Sequence, residues 1–168
     1  TNARVTGNKE YIARYGLEVM IAICRFWSQR VSYSQARQKF VLLGVTGPNE
    51  YENNVNNNWY TNFSCVQCLQ STIDSIEMVA HEFPEEYARV RRVTRFNYAE
   101  ETSRWQKIID GMYLPRDEQQ GIFIQDDGYP DKELTTVDDI PANERPINQW
   151  WSWDRILRSC YIKQSDVL

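Results

Sequence analysis

The run Gly47-Pro48-Asn49-Glu50-Tyr51 holds the residue best suited to chemistry in this chain. Glycine and proline fix a rigid turn, and such a turn can hold the carboxylate of Glu50 at the end of an element. An amide-rich stretch follows, Asn53-Asn54-Val55-Asn56-Asn57-Asn58-Trp59-Tyr60-Thr61-Asn62. A solvated loop would more often carry Lys, Ser and Asp here than interleaved Trp, Tyr and Asn. Flat aromatic faces pack on sugar C–H groups and amides bind hydroxyls, so a carboxylate in a sugar site is one reading. The residues alone leave that site and an ordinary loop equally open.

Other reactive-looking residues have plainer explanations. Cys65 and Cys68 have metal or redox spacing, but they fall inside a predicted helix and the chain has one His. A structural zinc site needs four ligands, so buried core cysteines are expected and no metal site. His81 reads as a helix-end residue near the dipole. Asp126-Asp127 reads as a turn. Trp150, Trp151 and Trp153 could be sugar platforms, but at least two are expected in the core. Arg89, Arg91, Arg92 and Arg95 lie close to Glu85 and Glu86, which predicts a solvated helix face.

The whole composition sets the class. Of the 168 residues 42% are hydrophobic and 25% charged, enough for one sizeable core in a soluble chain. Six Trp, ten Tyr and six Phe make an aromatic excess that suits either a sugar site or a large aromatic core. A net charge of −4 with scattered Lys and Arg excludes a basic patch for nucleic acid. No run reaches the roughly 18 apolar residues of a membrane span, and no signal peptide is visible. Four scattered cysteines do not make a secreted disulfide scaffold. A cytoplasmic location is expected, and the sequon Asn62-Phe63-Ser64 then carries no weight.

The elements that must position Glu50 are mostly helices. Asn8 to Arg30 reads as a long helix capped by Asn8, with Ile12, Tyr15, Val19, Ile23, Phe26 and Trp27 at helical spacing and further apolar residues on other faces. A helix apolar nearly all round is expected to be buried on more than one side. Val31 to Tyr33 and Lys39 to Leu43 read as short strands, and Gly44 to Asn58 as loop. Asn58 to Ala80 is a second long helix with Val66, Leu69, Ile73, Ile76 and Val79 as its stripe. Pro84 opens a helix over Glu85 to Arg92, and another covers Ala99 to Met112. Tyr113 to Asn143 is irregular, with a strand at Ile122 to Ile124 and a turn at Asp127-Gly128. Asn148 to Tyr161 is predicted helical, with Ile162-Lys163-Gln164 in an extended turn. One unit is expected. Beginning at Thr1 and ending at Leu168 without a polar tail, the chain reads as an excised part of a longer protein.

Three blocks of this sequence resemble glycoside hydrolase family 65. Gly44 to Asn62, GVTGPNEYENNVNNNWYTN, resembles the family's catalytic-acid segment. YGLEVMIAICRFWSQR, Tyr15 to Arg30, resembles the helix before it. WWSWDRILRSCYIKQSDVL, Trp150 to Leu168, resembles the stretch that carries a Lys-Gln pair. The blocks lie in family order and span nearly the whole chain. Many relatives acting on other disaccharides have Asp where this chain has Asn49, and Ala where it has Ser165. Asn49 with Trp59 is most similar to the maltose-acting branch.

The resemblance implies a mainly α fold, part of an (α/α)6 barrel with small β-hairpin insertions, in which residues 1–168 are a central portion incomplete at both ends. It implies Glu50 as catalytic acid and Lys163 and Gln164 as a sugar-binding pair. It implies inverting phosphorolysis of an α-glucosidic disaccharide such as maltose, with inorganic phosphate as co-substrate and no cofactor. The partners implied are the disaccharide and phosphate, with neither nucleic acid nor membrane, and a homodimeric parent. A hydrolase normally needs a second carboxylate to activate water; phosphate arrives anionic, so one acid suffices. Glu50 is then expected above the ordinary Glu value of about 4.3, raised by aromatic desolvation and phosphate charge. The family's phosphate loop is expected beyond Leu168 and the helices here are too few to close a barrel. The isolated chain is therefore expected to be inactive and to expose apolar helix faces. An inverting hydrolase on the same barrel and a non-catalytic carbohydrate-binding or structural module are the alternatives.

Overall fold

The computed structural model describes residues 7–167. The outermost residues, Thr1 included, and Leu168, on which the expectation of an excised piece rests, lie outside them. The fold is mainly α. Helix α1, Leu17–Arg30, is preceded by a helical turn, Lys9–Tyr11, and a π-helical stretch, Ile12–Gly16. Then come β1 Ser32–Ser34, β2 Lys39–Val41, α2 Trp59–Glu82, α3 Pro84–Thr94, α4 Tyr98–Gly111, β3 Arg116–Asp117, β4 Ile122–Phe123, α5 Ile147–Trp150 and α6 Trp153–Arg158. β1 pairs with β2, and β3 with β4. No helix among the described residues is long and apolar enough to cross a membrane.

Where one unit was expected, the chain divides into two: Thr1–Phe40 with Ser64–Met112, and Val41–Phe63 with Tyr113–Leu168. The first has an apolar core. α1 and the π turn bury Ala13, Leu17, Ile21 and Cys24, α2 buries Cys65, Leu69, Ile73, Ile76 and Val79, and α4 buries Trp105 and Ile108. Residues three and four apart share a helix face, which is why these runs form stripes. Phe96 stacks on Trp105 at 5.7 Å between centroids. The Arg25 guanidinium grips Glu101 through two bonds of 2.7 and 2.8 Å and donates to the Thr94 carbonyl. Asn8 caps the first turn, its side chain accepting from the Tyr11 N–H at 2.9 Å. Asn97 caps α4 in the same way through the Glu100 N–H.

Of the stripe predicted for α2, Leu69, Ile73, Ile76 and Val79 are buried, while Val66 is half-buried and Cys65 beside it takes the core position. α1 differs. Only the Ala13–Leu17–Ile21–Cys24–Ser28 side is buried, while Tyr11, Tyr15, Val19, Ile23 and Phe26 face solvent. These side chains fall on a different face from the buried stripe. His81 sits in the last turn of α2, as expected. Arg89 pairs with Glu86 and Glu18, and its neighbours Arg91, Arg92 and Arg95 are exposed.

The second unit has a small apolar core of Val41, Leu42, Ile140, Ile147, Ile156 and Cys160 beside many buried polar groups: Asn49, Glu52, Asn57, Asn58, Asn62, Gln125, Asp126 and Asp166. The single helix predicted over 148–161 is two short ones. Trp151 turns extended, and Ser152 opens α6 by accepting the Arg155 N–H, which makes it a new cap rather than a helix interior residue. Trp150 and Trp153 are exposed, against the expectation of core packing. Trp151 is half-buried, donating to Glu144 at 2.6 Å under the Arg155 guanidinium. The predicted strand at Ile122 finds its partner in Arg116–Asp117.

Candidate functional site

The loop that carries Glu50 is shaped by its amides. Val45 and Val55 exchange backbone bonds of 2.8 and 2.9 Å, closing the loop at its base. Asn57 has a left-handed backbone (φ 55°), a conformation asparagine tolerates. Its side chain accepts the Leu42 N–H and donates to Asp127 at 2.7 Å. Asn58 caps α2 by accepting from the Thr61 N–H and hydroxyl. Asn62 donates to the Tyr113 carbonyl at 2.7 Å. Buried amides must be bonded to offset their desolvation, and each of these bonds the chain itself, although the Asn49 side-chain nitrogen and the Asn62 side-chain oxygen are buried without a partner. The asparagines read as hydroxyl binders therefore serve, at 49, 57, 58 and 62, as the interior scaffold of the loop; Asn53, Asn54 and Asn56 are exposed.

Asn49 anchors the turn. Its side-chain oxygen accepts the N–H of Tyr51 at 3.2 Å and of Lys163 at 2.9 Å. Its own N–H donates to Asp166 at 2.6 Å. Asp166 also accepts from the Asn58 amide at 2.6 Å. Gly47 lies under that amide: a Cβ at 47 would fall 2.4 to 2.6 Å from three of its atoms, so glycine is required for contact rather than for its φ. On the other flank Glu52, buried, pairs with Lys132.

This scaffold brings all three predicted site residues together. The Gln164 side chain donates to Glu50 Oε1 at 2.7 Å and accepts the Glu50 N–H at 3.2 Å. The Lys163 ammonium bonds the other oxygen, Oε2. The Lys163 ammonium and the Gln164 amide hold the Glu50 carboxyl below the ordinary carboxylate range. That reverses the expected upward shift, and the reason is geometric: Glu50 is exposed, so desolvation is the smallest influence on it and hydrogen-bond donors the largest.

Nearby aromatics form a cluster of their own. Trp59 stacks on Phe63 at 4.8 Å with planes 14° apart and meets Phe123 at 4.8 Å. A cleft of about 390 Å³ runs past Ile122, Phe123, Tyr129, Ile162 and Asp166, and Glu50 does not line it. Asp126 sits in the predicted turn, accepting the Gly128 N–H at 2.9 Å, with its second oxygen buried and unbonded. Burial pushes the Asp126 and Asp166 carboxyls up. Asn49, Asn58, Asp166 and Lys132 were not singled out as site-builders from the sequence. The one available signal was the position of Asn58, which ends the loop and begins a helix.

The candidate site is thus a carboxylate held by a Lys-Gln pair at the end of a rigid turn. Residues 2–168 match the glycosyl hydrolase family 65 central catalytic domain, and the chain belongs to that family. It is 47% identical to maltose phosphorylase of Bacillus subtilis (strain 168) over 97% of its length. It is 32% identical to a kojibiose phosphorylase of Halothermothrix orenii and 35% identical to an α,α-trehalose phosphorylase of Thermoanaerobacter brockii. The alignments cover 20 to 21% of those proteins, so the chain spans about a fifth of the curated relatives it matches. A solved human-microbiome structure, assigned provisionally as a kojibiose phosphorylase, superposes with a TM-score of 0.81 at 28% identity, over 96% of this chain and 22% of that one. This likeness agrees with a mainly α fold forming part of an (α/α)6 barrel.

Proposed function

We propose that this chain is the acid-bearing portion of a longer disaccharide phosphorylase, with maltose as substrate. The observation that carries the reading is the convergence of Glu50 with Lys163 and Gln164, more than a hundred positions further along the sequence, on one hydrogen-bonded cluster. The higher identity to maltose phosphorylase than to the kojibiose and trehalose enzymes favours maltose. Glu50, protonated, gives its proton to the glucosidic oxygen as the bond from that oxygen to C1 breaks. A phosphate oxygen bonds C1 from the opposite face, giving β-glucose 1-phosphate and glucose with inversion, and the proton that phosphate brought restores Glu50.

The lowered Glu50 value of the free chain fits this cycle. Lys163 and Gln164 can donate to sugar hydroxyls instead. A sugar that takes those donors and covers Glu50 leaves its carboxyl desolvated and beside an anionic phosphate, both of which favour the protonated form.

The test is phosphate-dependent release of glucose 1-phosphate by the full-length protein. Glu50→Gln is expected to lower turnover of maltose by at least about 100-fold, the lower bound of the range for general acid catalysis. Residues 1–168 alone are expected to show none. Full activity in Glu50→Gln would overturn the acid assignment, and turnover without phosphate would indicate a hydrolase.

A further inference from the structure

We propose that Asp166 is the positioning residue that holds Glu50 at the bond it protonates, its single buried carboxylate bonding both the residue before Glu50 and the residue that ends the Glu50 loop. The inference rests on the proposed role of Glu50 as acid. Asp166 is 1% exposed. One of its oxygens accepts the N–H of Asn49, the residue before Glu50, and the other accepts the amide of Asn58, where the loop becomes α2; both bonds are 2.6 Å. The Asn49 side-chain oxygen in turn accepts the Lys163 N–H, so residues 49 and 163–166 are tied in both directions. Glu50 on one side and Lys163 and Gln164 on the other project from this ring.

The chemistry of the ring specifies an aspartate. Both oxygens of residue 166 must accept. An asparagine there could accept from Asn49 with its oxygen but would turn an NH2 group towards the NH2 of Asn58, donor against donor. Neither partner is a cation, so the buried charge is poorly compensated and is a weak choice for stability alone. Gly47 completes the arrangement, since any side chain there would push the Asn58 amide away from Asp166. Holding a general acid within a fraction of an ångström of the bond it cleaves is worth far more to rate than to folding, and a misplacement of about 1 Å can cost about 100-fold.

The experiment compares two donors in the full-length enzyme with phosphate: the disaccharide, whose leaving group needs a proton, and α-glucosyl fluoride, whose fluoride leaves without one. Glu50→Gln defines the pattern of a missing acid, with the disaccharide reaction lost and the fluoride reaction retained. Asp166→Asn is expected to lower kcat on the disaccharide by about 10- to 100-fold while keeping the fluoride rate within about threefold. The double variant Asn58→Asp/Asp166→Asn reverses the donors and acceptors of the ring, and is expected to restore most disaccharide turnover. Should Asp166→Asn fail to fold, Asn58→Ser, which keeps an oxygen to cap α2 but withdraws the amide, should show the same split. An equal loss on both donors, or no loss on the disaccharide, would overturn the positioning role. A Glu50→Gln enzyme that loses neither or both would instead overturn the acid assignment on which it rests.

Discussion

At the scale of single residues, this chain keeps two lysine–glutamate pairs of opposite character within the same unit. Lys163 and Glu50 are largely exposed, and each is free to exchange its partner for a ligand group or water. Lys132 and Glu52 are enclosed, with side chains 11% and 5% exposed, and burial pushes the Lys132 ammonium below its ordinary value. Removing one partner of a buried pair strands the other charge, which typically costs about 3–5 kcal/mol, whereas replacing both is often neutral. Lys132→Met is therefore expected to lower stability by about that amount, and Lys132→Met/Glu52→Gln to recover most of it, as read by urea denaturation at neutral pH. A Lys132→Met protein as stable as the parent sequence would show that Glu52 finds another partner. The pair was invisible in the sequence because nothing local links positions 52 and 132. The same holds for Glu50 and Lys163: the family resemblance singled out both residues, but neither it nor their spacing showed that they bond each other.

At the scale of elements, α1 was legible as a helix but not in what it buries. Its apolar residues populate more than one face, and periodicity cannot say which face meets the core. The structure buries the face of Leu17, Ile21 and Cys24 and leaves Tyr11, Tyr15, Val19, Ile23 and Phe26 in solvent. A contiguous apolar stripe of this kind promotes association. Residues 1–168 alone are expected to self-associate in sedimentation experiments. Val19→Lys/Phe26→Lys should return them to monomer with little change in unfolding temperature, since both side chains are more than half exposed. A monomeric parent sequence at high concentration would refute this. The stripe of α2 and the loop of 44–58 were read correctly because spacing and Gly, Pro and Asn content are local signals. The break between α5 and α6 was not, because it has neither Gly nor Pro and depends on Ser152 acting as a cap.

At the scale of the whole molecule, Glu101 in one unit and Asp126 and Asp166 in the other respond to acid in opposite senses. Arg25 holds the Glu101 carboxyl below its ordinary value. Such a group contributes stability above its unfolded pKa, and that stability is lost as pH falls through the folded one. Burial holds Asp126 and Asp166 above theirs. There the folded state takes up protons more readily than the unfolded one, so stability is gained as pH falls towards the ordinary Asp value of about 3.9 and lost as pH rises through the raised one. Asp126→Asn removes a buried charge whose second oxygen has no hydrogen-bond partner. It is expected to raise stability at neutral pH and to flatten the gain on mild acidification, measured by denaturation at a series of pH values; an unchanged profile would assign the effect elsewhere. The bond from Asn58 to Asp166, 108 positions apart, also sets a rule for recombination. A loop graft between relatives that exchanges residues 47–58 without position 166 would join halves that evolved against different counterparts. The unit of exchange in a chimaera is the loop together with the turn at 163–166.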